Sequence, residues 1–162
     1  MTFVVNDVLM IVMNSQYYAD RSLVPELAQE QDDWLEETLT RVKDYKHAIV
    51  FQHIPWFTSD PEGERTVFVM ENGYIVYFDM EMETRRRMLN KLYDAGIRSV
   101  FCGHYHRNAG GYFKDMQQVV TSAVGAQMGT DKSGFRIVIV KEGSIEHKYY
   151  DLDNVPTSIN LQ

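Results

Sequence analysis

Apolar runs that stop abruptly at polar residues recur along this chain. Val8 to Met13 gives way to Asn14, Ser15 and Gln16; Ala48 to Phe51 gives way to Gln52 and His53; IRSVFC runs into Gly103 and His104; MQQVV runs into Thr121. Short continuous apolar runs of this kind predict strands buried on both faces. Between them, Leu27, Trp34, Leu35, Leu39 and Val42 recur at helical spacing, with Ser22 placed to cap and Pro25 early, which predicts an amphipathic helix over about 26 to 44. Met82, Met88, Leu89, Leu92 and Tyr93, with Gly96 just beyond, predict a second helix over 81 to 95.

Two hairpins complete the pattern. TSDPEGE reads as a loop leading into TVFVMENGYIVYF, a hairpin about Asn72-Gly73, and GFRIVIVKEGSIEHKYYDL closes the chain as two strands about Glu142-Gly143. Gly110 and Gly111 read as a flexible turn. The order strand, helix, strand, hairpin, helix, strand, strand, hairpin predicts an α/β fold with a largely parallel sheet. Such sheets place their sites outside the strand C-termini, where Asn14, His53, His104 and Thr121 fall.

Composition narrows the partners. With 162 residues, 44% of them hydrophobic, one folded domain is expected. A net charge of −7 with no basic stripe argues against nucleic acid or an anionic membrane, and the run Arg85, Arg86, Arg87 reads as one face of a helix. No apolar run reaches the roughly 20 residues of a membrane span. A single cysteine, Cys102, and no secretory leader pattern point to a cytoplasmic protein without internal disulfides.

The chemistry concentrates in FCGHYHRNAGG, residues 101 to 111, and in VFQHIPWF around His53. Neutral imidazoles suit zinc, iron, nickel and similar cations, and Gly103 would let the backbone turn tightly before His104 and His106. The plainer alternatives stand beside this: a His-x-His pair also occurs in surface and capping roles, and His53 before Ile54-Pro55 also suits a turn. His47 and His147 read as structural, and Cys102 as a buried thiol. Arg107 and Asn108 offer a cation and an amide where a phosphate oxygen could sit, or simply cap the strand end.

VFQHIP followed by GHYHRNAGG resembles the C-terminal half of the calcineurin-like metallophosphoesterase superfamily. MNSQYY, QDDWLEETL, HAIVFQHIPWF, AGIRSVFCGHYHRNAGG and TSAVGAQMG more narrowly resemble its animal serine/threonine protein phosphatases. The resemblance implies half of a four-layer α/β/β/α sandwich, a partial phosphoesterase domain over 1 to 155 with a tail over 156 to 162, and an inserted hairpin near 62 to 76. It implies His53, His104 and His106 as metal ligands and Arg107 and Asn108 as substrate-binding residues. By the same resemblance two divalent ions (Mn, Fe, Zn or Mg) hold a bridging hydroxide that attacks phosphorus, with a phosphorylated protein as substrate.

This sequence departs from the family by lacking its Asp-x-His, Gly-Asp-x-x-Asp and Gly-Asn-His-Asp/Glu motifs. No catalytic residue beyond the ligands is identifiable, and fewer than two metals are expected on this chain. The departure implies a fragment, a splice product or one part of a split assembly, with self-association through uncovered sheet surface. An inactive interaction module and a mononuclear three-histidine metal site are the alternative readings.

Overall fold

The computed structural model describes residues 1–160. Strands β1 (Thr2–Val5), β2 (Val8–Val12), β3 (His47–Phe51), β6 (Ser99–Cys102), β8 (Met116–Val120) and β7 (Ala109–Phe113) lie in that spatial order in one sheet. β2, β3, β6 and β8 run parallel, and β1 and β7 close the two sides antiparallel. Two further ribbons stand apart, β4 (Val67–Val69) with β5 (Ile75–Tyr77) and β9 (Gly134–Val140) with β10 (Ile145–Asp151).

Alternation along the strands separates two cores. Leu9, Ile11, Ala48, Val50, Val100, Cys102 and Val120 point to one face, beneath α2 (Pro25–Thr40) and α3 (Met82–Asp94). Val8, Ile49, Phe101 and Val119 point to the other, beneath Val138, Val140 and Ile145 of the β9–β10 ribbon. The described residues thus make three layers: helices, main sheet and ribbon. A continuous apolar strand is the sequence of a sheet covered on both sides, each buried large side chain contributing about 1.5–3 kcal/mol.

Both long helices form where the apolar spacing placed them. α2 buries Ala28, Asp32, Leu35 and Leu39, a stripe one residue over from Leu27, which is exposed. Ser22 does not cap α2; Asp20 accepts its amide hydrogen bond and starts a separate 3₁₀ turn, and Pro25 opens the helix. α3 ends in a Schellman motif: Ile97 N–H donates to Leu92 O, Gly96 N–H donates to Tyr93 O, and Gly96 has φ +97°.

Three features differ from the sequence reading. β1 is a strand ahead of the first one read from the pattern, joined to β2 by Asn6-Asp7 with φ 47° and 65°, the left-handed pair of a tight hairpin. It covers the edge of β2 that the pattern left open. Gly110 and Gly111 are not a turn but the middle of β7, where close approach excludes side chains: a Cβ on Gly110 would lie 2.1 Å from Gln118 O, and one on Gly111 2.5 Å from Ser59 O.

The third concerns the basic run. Consecutive helical residues point about 100° apart, so the three arginines separate. Arg85 is fully buried against Asp79, Arg86 reaches exposed Glu62, and Arg87 reaches Asp32. Of the tail, Ile159 lies on the outer face of the β9–β10 ribbon beside Ile137, Ile139 and Tyr150, lining a cavity of ≈ 220 Å³; the last two residues, 161 and 162, lie outside the described ones.

Candidate active site at the strand ends

Parallel register brings the ends of β3, β6 and β8 level, with Phe51 beside Phe101 and Phe101 beside Val119. Ladder bonding continues past the strands: Gln52 N–H donates to Phe101 O, Gly103 N–H to His53 O and Thr121 N–H to Cys102 O. His53 and His104 are therefore fixed side by side by backbone, before any side-chain interaction. His104 and His106 both adopt positive φ, 67° and 53°, and Tyr105 N–H donates back to Gly103 O across His104. The tight turn sits on His104 itself, not on Gly103 as the sequence suggested. A non-glycine residue there costs energy and is found where surrounding structure imposes it, often at functional sites.

The three rings are held by different acceptors. His53 Nε2 and His104 Nδ1 are 3.2 Å apart. His104 Nε2 lies 3.2 Å from Tyr77 O, and His106 Nδ1 lies 2.7 Å from Ala126 O. A carbonyl only accepts, so neutral His104 carries its proton on Nε2 and neutral His106 on Nδ1. That leaves lone pairs on His104 Nδ1 and His106 Nε2, and His53 Nε2–H donates to His104. Burial, then the neighbouring His104 and His106, hold the His53 imidazole below its usual range. A neutral, deprotonatable imidazole is the form that ligates a cation.

The structure brings His53 and His104 into contact, while His106 faces the Ala126 loop. Among the described residues no group of three or more His, Cys, Asp or Glu side chains is placed to hold a metal. Two divalent cations close together need anionic oxygens between and around them. Asp79, the buried carboxylate two residues past Tyr77, is occupied by Arg85, Arg65 and the Thr66 amide. The donor set of this chain alone does not fit a two-metal centre.

Arg107 and Asn108 lie just past His106. The Asn108 backbone N–H donates to the Asp131 carboxylate, and its side-chain Oδ1 accepts from Arg136 Nη2 at 2.8 Å. Arg107 lies over the Tyr105 ring, and its buried Nε–H has no hydrogen-bond partner. Asn14 turns away, exchanging hydrogen bonds with Gln31, and Thr121 Oγ1 accepts from Arg136 Nε at 3.1 Å.

Two participants escaped the sequence reading. Tyr77 acts through its backbone, which no side-chain pattern signals. Arg136 sits mid-strand in GFRIVIV, where a lone charge interrupting an apolar run was the available sign. Cys102 is buried with its thiol raised by desolvation, and His47 binds Lys141 O at 2.8 Å, both as structural groups.

A mixed α/β sheet with paired histidines beyond adjacent parallel strands defines a phosphoesterase-like fold, and comparison with known proteins agrees. The chain resembles Plasmodium GAP50, "the anchor in the inner membrane complex", with a TM-score of 0.56 at 15% identity, over 82% of this chain and 40% of that one. No protein-family model matches the chain. In sequence it is 43% identical over 156 residues to the Homo sapiens serine/threonine-protein phosphatase CPPED1, 42% to that of Mus musculus and 40% to that of Danio rerio. Each match takes in 95% of this chain and 47% of the relative, so the chain spans about half the length of the curated relatives it matches. It is a half-length homologue of these calcineurin-like phosphoesterase domain-containing phosphatases.

Proposed function

We propose that this chain is the histidine-bearing half of a cytoplasmic phosphomonoesterase that removes phosphate from serine or threonine in proteins. The observation that carries this is the His53–His104 pair, 3.2 Å apart at the ends of adjacent parallel strands in a chain homologous to phosphatases. In this reading His53, His104 and His106 are the nitrogen ligands the chain contributes to a divalent-metal centre, and Arg107 and Asn108 meet the phosphate oxygens. The insertion near 62 to 76 is part of the same site, since its hairpin ends at Tyr77, whose carbonyl holds the His104 ring.

The test is release of inorganic phosphate from phosphoserine and phosphothreonine peptides by the purified chain with added Mn²⁺ and after chelation. Metal-dependent release lost in His104→Ala supports the reading; no release with Mn²⁺, Zn²⁺, Fe²⁺ or Mg²⁺ removes catalysis from this chain. That no group of three or more His, Cys, Asp or Glu among the described residues is placed to hold a metal favours a second reading, an interaction module without turnover. Stoichiometric binding to a phosphoprotein without phosphate release would distinguish it. A mononuclear site needs His106 to join the other two, and predicts one metal lost on changing any of the three.

A further inference from the structure

Between the main sheet and the β9–β10 ribbon lies a cavity of ≈ 590 Å³, lined among others by His53, Thr121, Ser122, Phe135 and Arg136. Most of its wall is apolar, and among the described residues Arg136 is the one Lys or Arg lining it. Strand alternation explains the placement: Gly134, Arg136, Val138 and Val140 share the inward face of β9, and since Gly134 has no side chain the guanidinium is the last inward group at the histidine end.

The partners of Arg136 are all uncharged. Nε donates to Thr121 Oγ1 at 3.1 Å, Nη2 to Asn108 Oδ1 at 2.8 Å, and Nη1 meets His147 Nδ1 at 2.9 Å. His147 Nε2 in turn lies 3.2 Å from Gln117 Oε1, so the neutral ring carries its proton on Nε2 and accepts from Arg136. Elsewhere in the chain, Arg21, Arg65, Arg85, Arg86, Arg87 and Arg98 each reach a carboxylate within 4.0 Å, and Arg41, which donates to Tyr45 Oη, is exposed to solvent. Arg136 and Arg107 are half-buried, form no such pair among the described residues, and flank the same Asn108.

A half-buried guanidinium with only neutral acceptors keeps its charge uncompensated, at a desolvation cost. Of its five N–H groups three are engaged, leaving one on each Nη. The Nε–H of Arg107, the residue before Asn108, is a further buried donor without a partner among the described residues. Such a fork, fixed by three hydrogen bonds at the mouth of a cavity shared with His53, suits a tetrahedral oxyanion.

We infer that Arg136 anchors the oxyanion of a phosphate monoester in the cavity between the two sheets, with Asn108 and Thr121 holding its guanidinium in place. This deepens the phosphatase reading and rests on it for the identity of the ester, while anion binding itself requires no turnover. Arg136 binds the oxyanion beside Arg107 and Asn108, and Asn108 Oδ1 also holds the Arg136 guanidinium in position.

The probes are inorganic phosphate and O-phosphoserine, titrated calorimetrically into the full chain after metal removal. Saturable binding of both, weakened at least about tenfold in Arg136→Met and about threefold in Arg136→Lys, is the expected result, since lysine keeps the charge but not the fork. Binding of phosphate without phosphoserine assigns the site to the free ion and overturns the ester assignment. Absence of saturable binding by the unaltered chain, or unchanged affinity in a variant whose near-ultraviolet spectrum shows it folded, overturns the anchor. Should Arg136→Met not fold, Arg136→Lys decides. Phosphate binding through Arg136 without hydrolysis of p-nitrophenyl phosphate supports the anchor and counts only against the catalytic reading.

Discussion

His53 Nε2 faces His104 Nδ1 at 3.2 Å, and the far nitrogen of His104 is fixed by Tyr77 O at 3.2 Å. The carbonyl sets the tautomer of the neutral ring, so the His104 lone pair points at His53. Carbonyl support of this kind orients imidazole ligands at metal sites. The hairpin carrying Tyr77 therefore governs the histidine pair from outside the strands that bear it.

Two convergent imidazoles without a carboxylate should bind weakly and singly. Titration of Zn²⁺ or Mn²⁺ into the metal-free chain is expected to saturate at no more than about one equivalent, because a second cation nearby needs anionic ligands. His53→Ala and His104→Ala should each weaken binding by at least about tenfold. Two tightly held equivalents by plasma mass spectrometry would contradict this.

The hairpin is anchored by charge in the core. Arg85 Nη2 is 3.2 Å from Asp79 Oδ1, both side chains are 2% exposed or less, and Arg85 also donates to Gly63 O at 2.8 Å and Met80 O at 3.0 Å. Burial pushes the Asp79 carboxyl up, against the Thr66 amide, Arg85 and Arg65, which favour the charged form. Removing one partner of a buried pair leaves the other uncompensated, so Asp79→Ala should cost about 3–5 kcal/mol in denaturant unfolding. Loss at the level of an exposed pair, about 0–1 kcal/mol as expected for Arg86–Glu62, would mean the anchor is not electrostatic.

Gly110 ties the loop that carries His104 and His106 to the sheet. With φ +125° and a Cβ that would lie 2.1 Å from Gln118 O, no side chain fits without parting β7 from β8. Gly110→Ala is expected to destabilise the chain by more than about 1 kcal/mol and to slow no other strand pairing. Amide exchange read at Gln118 and Val120, whose N–H groups face β7 because those of Gln117 and Thr121 face β6, should accelerate.

Acid should weaken the fold around Arg136. Burial, then the Arg136 charge, lowers the His147 pKa, and burial lowers that of His53. The unfolded chain binds protons first, near pH 6.5, so stability is full above that value and falls as pH drops through the depressed folded values. His53 is the more exposed of the two and contributes less; His147 should dominate. The melting temperature should decline from pH 7.5 to 5, and His147→Gln should flatten that decline, which an unchanged slope would contradict.

Much of the fold was legible along the chain because burial on both faces leaves continuous apolar strands, and helical spacing leaves a stripe. β2, β3, β6 and β8, both long helices, the Asn72-Gly73 and Glu142-Gly143 turns and the Schellman glycine at Gly96 were all readable locally. β1 was missed although Asn6-Asp7 between apolar runs is a hairpin sign. β7 was missed because its glycines exist to let Gln118 O and Ser59 O approach, a distant cause.

For the site, residue order established which histidines stand at strand ends, since a strand boundary is a local property. Their distances from one another, the turning of His106 toward Ala126 O, the control of His104 by Tyr77 O and the exposure of Arg136 to the same cavity as His53 were decided by tertiary structure. Each depends on segments more than ten residues apart in the chain, whose approach is set by sheet register and layer packing. Hydrophobic periodicity encodes which face a side chain takes, and only the packed layers determine which partner it meets there.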